Sequence, residues 1–210
     1  MYTPKHFEET RPEVMHALIG AHPLATLVTL TADGLAANHI PLQHRAGPTA
    51  NGTLIGHVAR SNPMLENLAL DVDVLAIFHG PQAYVSPSWY PTKAEHGKVV
   101  PTWNYAVVHA HGRLIVHDDP AWVRAHLTSL TEQMESGFAQ PWGLQDAPAD
   151  FIDKLVGAVV GIEIEVTRLE GKWKASQNQP APNRQGVIDG LLGRDTPSGC
   201  PMAALMKATA

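Results

Sequence analysis

Charge is scarce in this 210-residue chain: Asp, Glu, Lys and Arg make up 17%, against about a quarter in an average soluble domain. Its 15 Lys and Arg are scattered and outnumbered by 20 Asp and Glu, for a formal net charge of -5. A broad nucleic-acid surface needs clustered cations that release counterions from phosphates. The charge therefore gives DNA binding no support. One cysteine, Cys200, excludes an intrachain disulfide. Its place between Pro197, Gly199 and Pro201 also excludes structural zinc held by thiolates. No apolar run approaches the ~18 residues of a membrane span. The first residues carry Lys5, Glu8, Glu9, Arg11 and Glu13 where a leader would have an apolar core. These absences predict a cytoplasmic protein with no membrane segment. G-x-S-x-G, P-loop, G-x-G-x-x-G and H-E-x-x-H patterns are missing too, so the common hydrolase, NTPase, Rossmann and zinc-protease readings lack support. The 12 histidines are scattered without metal-ligand spacing, and no metal site is expected.

Apolar residues make up 44%, enough for a sizeable core in one large domain. Pro12 to Gly20 reads as a short helix, with Val14, Met15, Leu18 and Ile19 as its apolar stripe. Asp33-Gly34 between Ala25–Leu30 and Leu35–Leu42 predicts a hairpin, and Asn51-Gly52 predicts a second turn into Thr53–Val58. Asn62-Pro63 opens a helix whose buried face would be Leu65, Leu68 and Ala69. Val72–Phe78 is an apolar strand that Gly80-Pro81 should break. Residues 87–101 form a long polar connection. Thr102–His111 and Arg113–His117 are two strands with Gly112 as a bend. Asp119-Pro120 opens a helix to about residue 136, with Trp122, Val123, Leu127, Leu130 and Met134 inward. Short helices follow near 149–156 and 184–192. Between them Ala158–Arg168 is a strand, turning at Glu170-Gly171 into Lys172–Ala175. The count is seven or eight strands, mostly in hairpins. That predicts a mainly β fold with peripheral helices, an antiparallel closed or partly closed barrel. Residues 1–179 would be the barrel domain, and 180–210 a helix and mobile tail on the barrel or on a partner subunit.

Four stretches carry chemistry. In Gly56–Pro63 a strand ends, Arg60 follows and a helix begins, so Arg60, Ser61, Asn62 and His57 could together hold a phosphate dianion. In Asn38–Leu42, Pro41 marks a sheet edge whose freed backbone groups could bond a planar heterocycle. Tyr84, Trp89, Tyr90, Trp103 and Tyr105 flank the long loop, as a stacking wall or a dimer interface. Ser176-Gln177-Asn178 follows a strand with three short polar groups that could read the edges of a ring.

With His6–Glu9, Asn38–Leu42, Gly56–Pro63, Gly80–Tyr90, Val100–Gly112, Ser176–Asn178 and Asn183–Leu191 in order, the chain resembles the PaiB family of FMN-binding negative transcriptional regulators. The resemblance implies a split β-barrel of the pyridoxamine-phosphate-oxidase-like kind. It also implies a homodimer with FMN near the subunit interface. Carried over, His57, Val58, Ala59, Arg60, Ser61 and Asn62 would hold the phosphate. Asn38, His39, Ile40, Pro41 and Leu42 would line the flavin ring, and Thr102, Trp103, Ser176 and Gln177 would complete the pocket. The chain departs from the family at Leu65, where many relatives have Trp. It also lacks the Leu before Ser176 and the basic residue after Asn178. A flavin-dependent oxidoreductase and a haem-binding or haem-degrading split barrel are the alternatives that this fold carries.

Overall fold

In a computed structural model, residues 1–47, 49–66, 68–69, 72–194 and 197–209 are described. The strands are β1 (Glu8–Glu9), β2 (Leu24–Thr31), β3 (Gly34–Pro41), β4 (Gln43–Arg45), β5 (Thr53–Ala59), β6 (Val74–Val85), β7 (Thr102–His117) and β8 (Val159–Lys174). The helices are α1 (Pro12–Ala21), α2 (Lys93–His96), α3 (Pro120–Glu135), α4 (Ala149–Gly157), α5 (Ala181–Leu192) and α6 (Gly199–Ala208). The hydrogen-bonded strand order is β3-β2-β6-β7-β8-β5-β4, with β1 added to β8. The mainly β, antiparallel fold class expected from the sequence is borne out.

Both predicted hairpin turns form where local chemistry demands them. Gly34 and Gly52 sit at φ 112° and 74°, a region closed to most side chains. Other glycines depart from expectation. Gly80, Gly112 and Gly171 lie inside continuous strands and do not break them. A Cβ on Gly112 would stand 2.2 Å from the Glu165 carbonyl oxygen, and one on Gly171 would stand 2.8 Å from that of Glu9. These glycines permit close crossing of backbones. The helix expected after Asn62 is a single 3-10 turn, Pro63–Leu65, and Met64 is its buried residue. The three expected buried positions, Leu65, Leu68 and Ala69, are only half-buried. In α3 the buried residues are Val123 and His126, whereas Met134 is exposed.

The contacts divide the chain into two compact units. The first comprises residues 1–18, 79–109 and 170–210, and the second comprises 19–78 and 110–169. The first has a core of Val85, Tyr90, Val187, Leu191, Met202 and Met206. Part of the expected mobile tail is thus a packed helix: α6 buries Met202, Ala203 and Met206. The second unit contains the β2–β5 hairpins. It also holds a cluster of Val123, Ile152 and Val156, which joins α3 to α4.

Candidate functional site

In the second unit, two of the predicted stretches meet. β4 pairs with β5 through Gln43↔Ile55, His44↔Leu54 and Arg45↔Thr53. The preceding residues therefore run beside β5. A Cβ on Gly56 would stand 2.7 Å from Leu42 Cδ2 and 2.9 Å from the Pro41 carbonyl oxygen, so only glycine allows this approach. The far end is tied by Asn62 Nδ2, which donates to Asn38 Oδ1 at 3.0 Å. Asn62 Oδ1 in turn accepts from the Met64 N–H at 3.0 Å. Asn62 is thus a clamp between stretches 24 residues apart. Strand alternation sends Asn38 and Ile40 to the inner face of β3, and His39 and Pro41 outward. Leu42 and Val58 are core residues.

Arg60 is already engaged. Its Nε donates to the Gly157 carbonyl oxygen at 2.8 Å and its Nη2 to that of Val159 at 3.2 Å. Nη2 also lies 2.6 Å from an Asp118 carboxylate oxygen. This pairing raises the pKa of Arg60 and lowers that of Asp118. Nη1 and the exposed Ser61 hydroxyl have no partner among the described residues. Two sets of donors therefore remain for an anion, which would compete with Asp118. The donor set fits a phosphate group, although the expected helix N-terminus behind it is one short turn.

His57 faces α3, and its Nδ1 lies 3.1 Å from His126 Nε2. Burial lowers the pKa of His57. Burial, then His57 and Arg45, lowers that of His126 to about 4. Its Nδ1 is buried without a hydrogen-bond partner among the described residues. Trp122 stacks between His126 and His117, and His117 Nε2 meets Glu163 at 2.8 Å. His57 is therefore packed into a cluster with His126, Trp122 and His117.

Beside this corner, the outward face of the β2–β3 hairpin is apolar apart from one polar pair. Its cross-strand pairs are Leu24↔Pro41, Thr26↔His39, Val28↔Ala37 and Leu30↔Leu35. Leu24, Leu30 and Leu35 are 61%, 41% and 80% exposed. His39 Nδ1 and the Thr26 hydroxyl share a 3.3 Å hydrogen bond there. Contiguous apolar faces of this kind mark interfaces.

The remaining predicted residues lie in the first unit. Thr102 and Ser176 line a cavity of 350 Å³. Gln177 is spent on its own backbone: its Oε1 accepts from the Ala175 N–H at 2.7 Å and its Nε2 donates to the Trp173 carbonyl oxygen at 2.6 Å. Trp103 is exposed, edge-on to Tyr84 at 6.1 Å, with its indole N–H on Gln82 at 3.3 Å. Asp118 and His126 escaped the sequence reading because each meets its partner only through tertiary contact, 58 and 69 residues away. A carboxylate just before the Asp119 cap of α3 is the only sequence signal for Asp118.

Residues 1–168 match the family model described as "Putative FMN-binding domain". The chain is 30% identical to the protease synthase and sporulation protein PAI 2 of Bacillus subtilis, covering 99% of this chain and 97% of that protein. It is 32% identical to an uncharacterized protein of Emericella nidulans, over 99% and 96% of the two chains. Among solved structures it is similar to the FAD and heme binding protein from Mycobacterium smegmatis. There the TM-score is 0.59 with 16% identity, over 85% of this chain and 78% of that one.

Proposed function

The chain belongs to the FMN-binding domain family, with FMN as its cofactor, and from that premise we propose that it is a cytoplasmic, homodimeric flavoprotein of the PaiB kind that acts as a negative regulator of transcription. FMN lies at the corner where Asn38–Leu42 meets Gly56–Asn62, with its phosphate on Arg60 and Ser61. The clamp from Asn62 to Asn38 carries this reading, because it joins the two stretches beside the spare donors of Arg60 and Ser61. Bound FMN supplies one- or two-electron redox chemistry. The chain's own part is to hold and orient it. Removing the Arg60 charge-assisted bonds in Arg60→Gln should weaken FMN binding about tenfold or more. Asp118→Asn should strengthen it about two- to fivefold, the range of an exposed ion pair. Fluorescence titration measures both. Wild-type affinity in both variants would move the phosphate away from this corner.

The β2–β3 face is the surface proposed for the second copy. A carboxylate placed there should split the dimer, so Leu35→Asp should sediment as a monomer. In a gel shift at low salt with DNA from upstream of the chain's own gene, wild-type protein should retard the fragment and Leu35→Asp should not. Absence of any sequence-dependent shift by the wild type would remove direct DNA binding, which the net charge of -5 already opposes.

A further inference from the structure

The cavity in the first unit has a chemistry of its own. Its 350 Å³ lies in the range of small-molecule sites. Its wall includes Lys98 and Lys174 but no Asp or Glu. Lys174 Nζ donates to the Thr102 hydroxyl, and to the Trp103 carbonyl oxygen at 2.7 Å. That leaves one of its three donors, and no carboxylate pairs with it among the described residues. Burial, and then Lys172, lowers its pKa, so the cation is poorly stabilised where it stands.

A second, independent feature is Tyr90. It lines the cavity, is 5% exposed, and its hydroxyl has no hydrogen-bond partner among the described residues. The hydroxyl is not among the fully buried unpaired polar atoms, so it opens onto the cavity, where a ligand can reach it. A third is Asn104, which is fully buried on the same wall. Its Nδ2 donates to Ser176 Oγ at 2.9 Å and otherwise only to the Met206 thioether at 3.5 Å, a weak acceptor. Ser176 stands at φ 62°, the one non-glycine residue at positive φ among those described. Such strain persists where surrounding contacts hold it, and it clusters at ligand sites. Phe7, Val99 and Pro180 add apolar wall.

We infer that this cavity binds a small organic oxyanion, a carboxylate or a phosphate monoester. The oxyanion takes the spare donor of Lys174 and the Tyr90 hydroxyl, and the apolar part of the molecule lies against Phe7, Val99 and Pro180. Such a ligand is what a regulator would sense. The inference rests on FMN lying at the Arg60 corner, because Thr102 and Ser176 on this wall are two of the residues that the resemblance gives to the flavin pocket.

Calorimetric titration of the full, FMN-loaded protein with benzoate, phenyl phosphate and benzyl alcohol tests it. At least one of the two anions should bind saturably, one per chain, and benzyl alcohol at least about tenfold more weakly. The two anions separate carboxylate from phosphate recognition. Losing a bond to a charged partner costs roughly tenfold or more. Tyr90→Phe and Lys174→Met should each therefore weaken the anion by about that factor, and the flavin should stay bound throughout the titration. If Lys174→Met does not fold, Tyr90→Phe carries the test, since it removes only an unpartnered hydroxyl. The inference is overturned if neither anion saturates, if benzyl alcohol binds as well, or if Tyr90→Phe binds like the wild type. It is also overturned if either anion releases FMN as it binds, which would place the anion in the flavin site.

Discussion

Gly186→Val is expected to lower the melting temperature by roughly 6–12 °C, corresponding to about 3 kcal/mol in a chain of this size. A Cβ at Gly186 would stand 2.0 Å from the Trp89 carbonyl oxygen. One turn further on, a Cβ at Gly190 would stand 2.4 Å from the Trp89 ring. The first obstacle is backbone, which cannot rotate away, so α5 must lift from the 87–89 turn. That movement would also disturb the cavity. Asn183, one turn before Gly186, accepts from the Thr92 hydroxyl at 3.1 Å, and both residues line the cavity wall. Gly20→Ala is the opposite case. It lies in α1 with nothing within 4 Å of its Cβ position. There alanine should stabilise by about 0.5–1 kcal/mol through helix propensity and unfolded-state entropy. Differential scanning calorimetry reads both. Equal melting temperatures for wild type and Gly186→Val would mean that α5 does not seat on the Trp89 turn.

These glycines show which parts of the fold a single sequence can reveal. Gly34 and Gly52 were legible because the reason for them is local: an Asp-Gly or Asn-Gly turn dictates its own φ. Gly112, Gly171 and Gly186 were not legible as contacts, because the group that forbids a side chain lies far along the chain: Glu165, Glu9 and Trp89. Glycine inside an apolar run then reads as a break, and the 16-residue β7 and β8 were each cut in two. The candidate site divides in the same way. The stretches 38–42 and 56–62 stood out by residue type, and the fold joins them through Asn38 and Asn62. Residues that decide the electrostatics were hidden, because their chemistry depends on what they touch. Arg60 looked like a free phosphate ligand until Asp118 came within 2.6 Å. Asn62 and Gln177 looked like ligand readers, yet each spends its amide on holding a turn. Tyr90 was grouped with the aromatics, and the unpartnered hydroxyl that sets it apart is visible only in three dimensions.

Acid should unfold this protein earlier than its carboxylates alone would, and His126 is the reason. The side chain is 2% exposed, and its Nε2 faces His57 Nδ1 at 3.1 Å. Two imidazolium rings cannot share that contact, and burial opposes the first charge as well. The folded chain therefore refuses a proton at His126 down to about pH 4, whereas the unfolded chain takes it near 6.5. Between those values the unfolded state binds more protons, so stability rises with pH. The contribution is fully present above about pH 6.5 and is lost as the pH falls toward 4. The interval is worth roughly 3 kcal/mol. His57, with its own pKa lowered by burial, adds to the effect in the same direction. His126→Leu removes the titrating group while keeping an apolar side chain against Trp122. Urea unfolding at pH 7.5 and pH 4.5 should then show a much smaller loss of stability for His126→Leu than for the wild type, even where the variant is the less stable at pH 7.5. Carboxylates titrate in both proteins and cancel in the comparison. An equal loss in both would mean that His126 is protonated in the folded chain, and that the His57–His126 pair does not survive as a neutral contact.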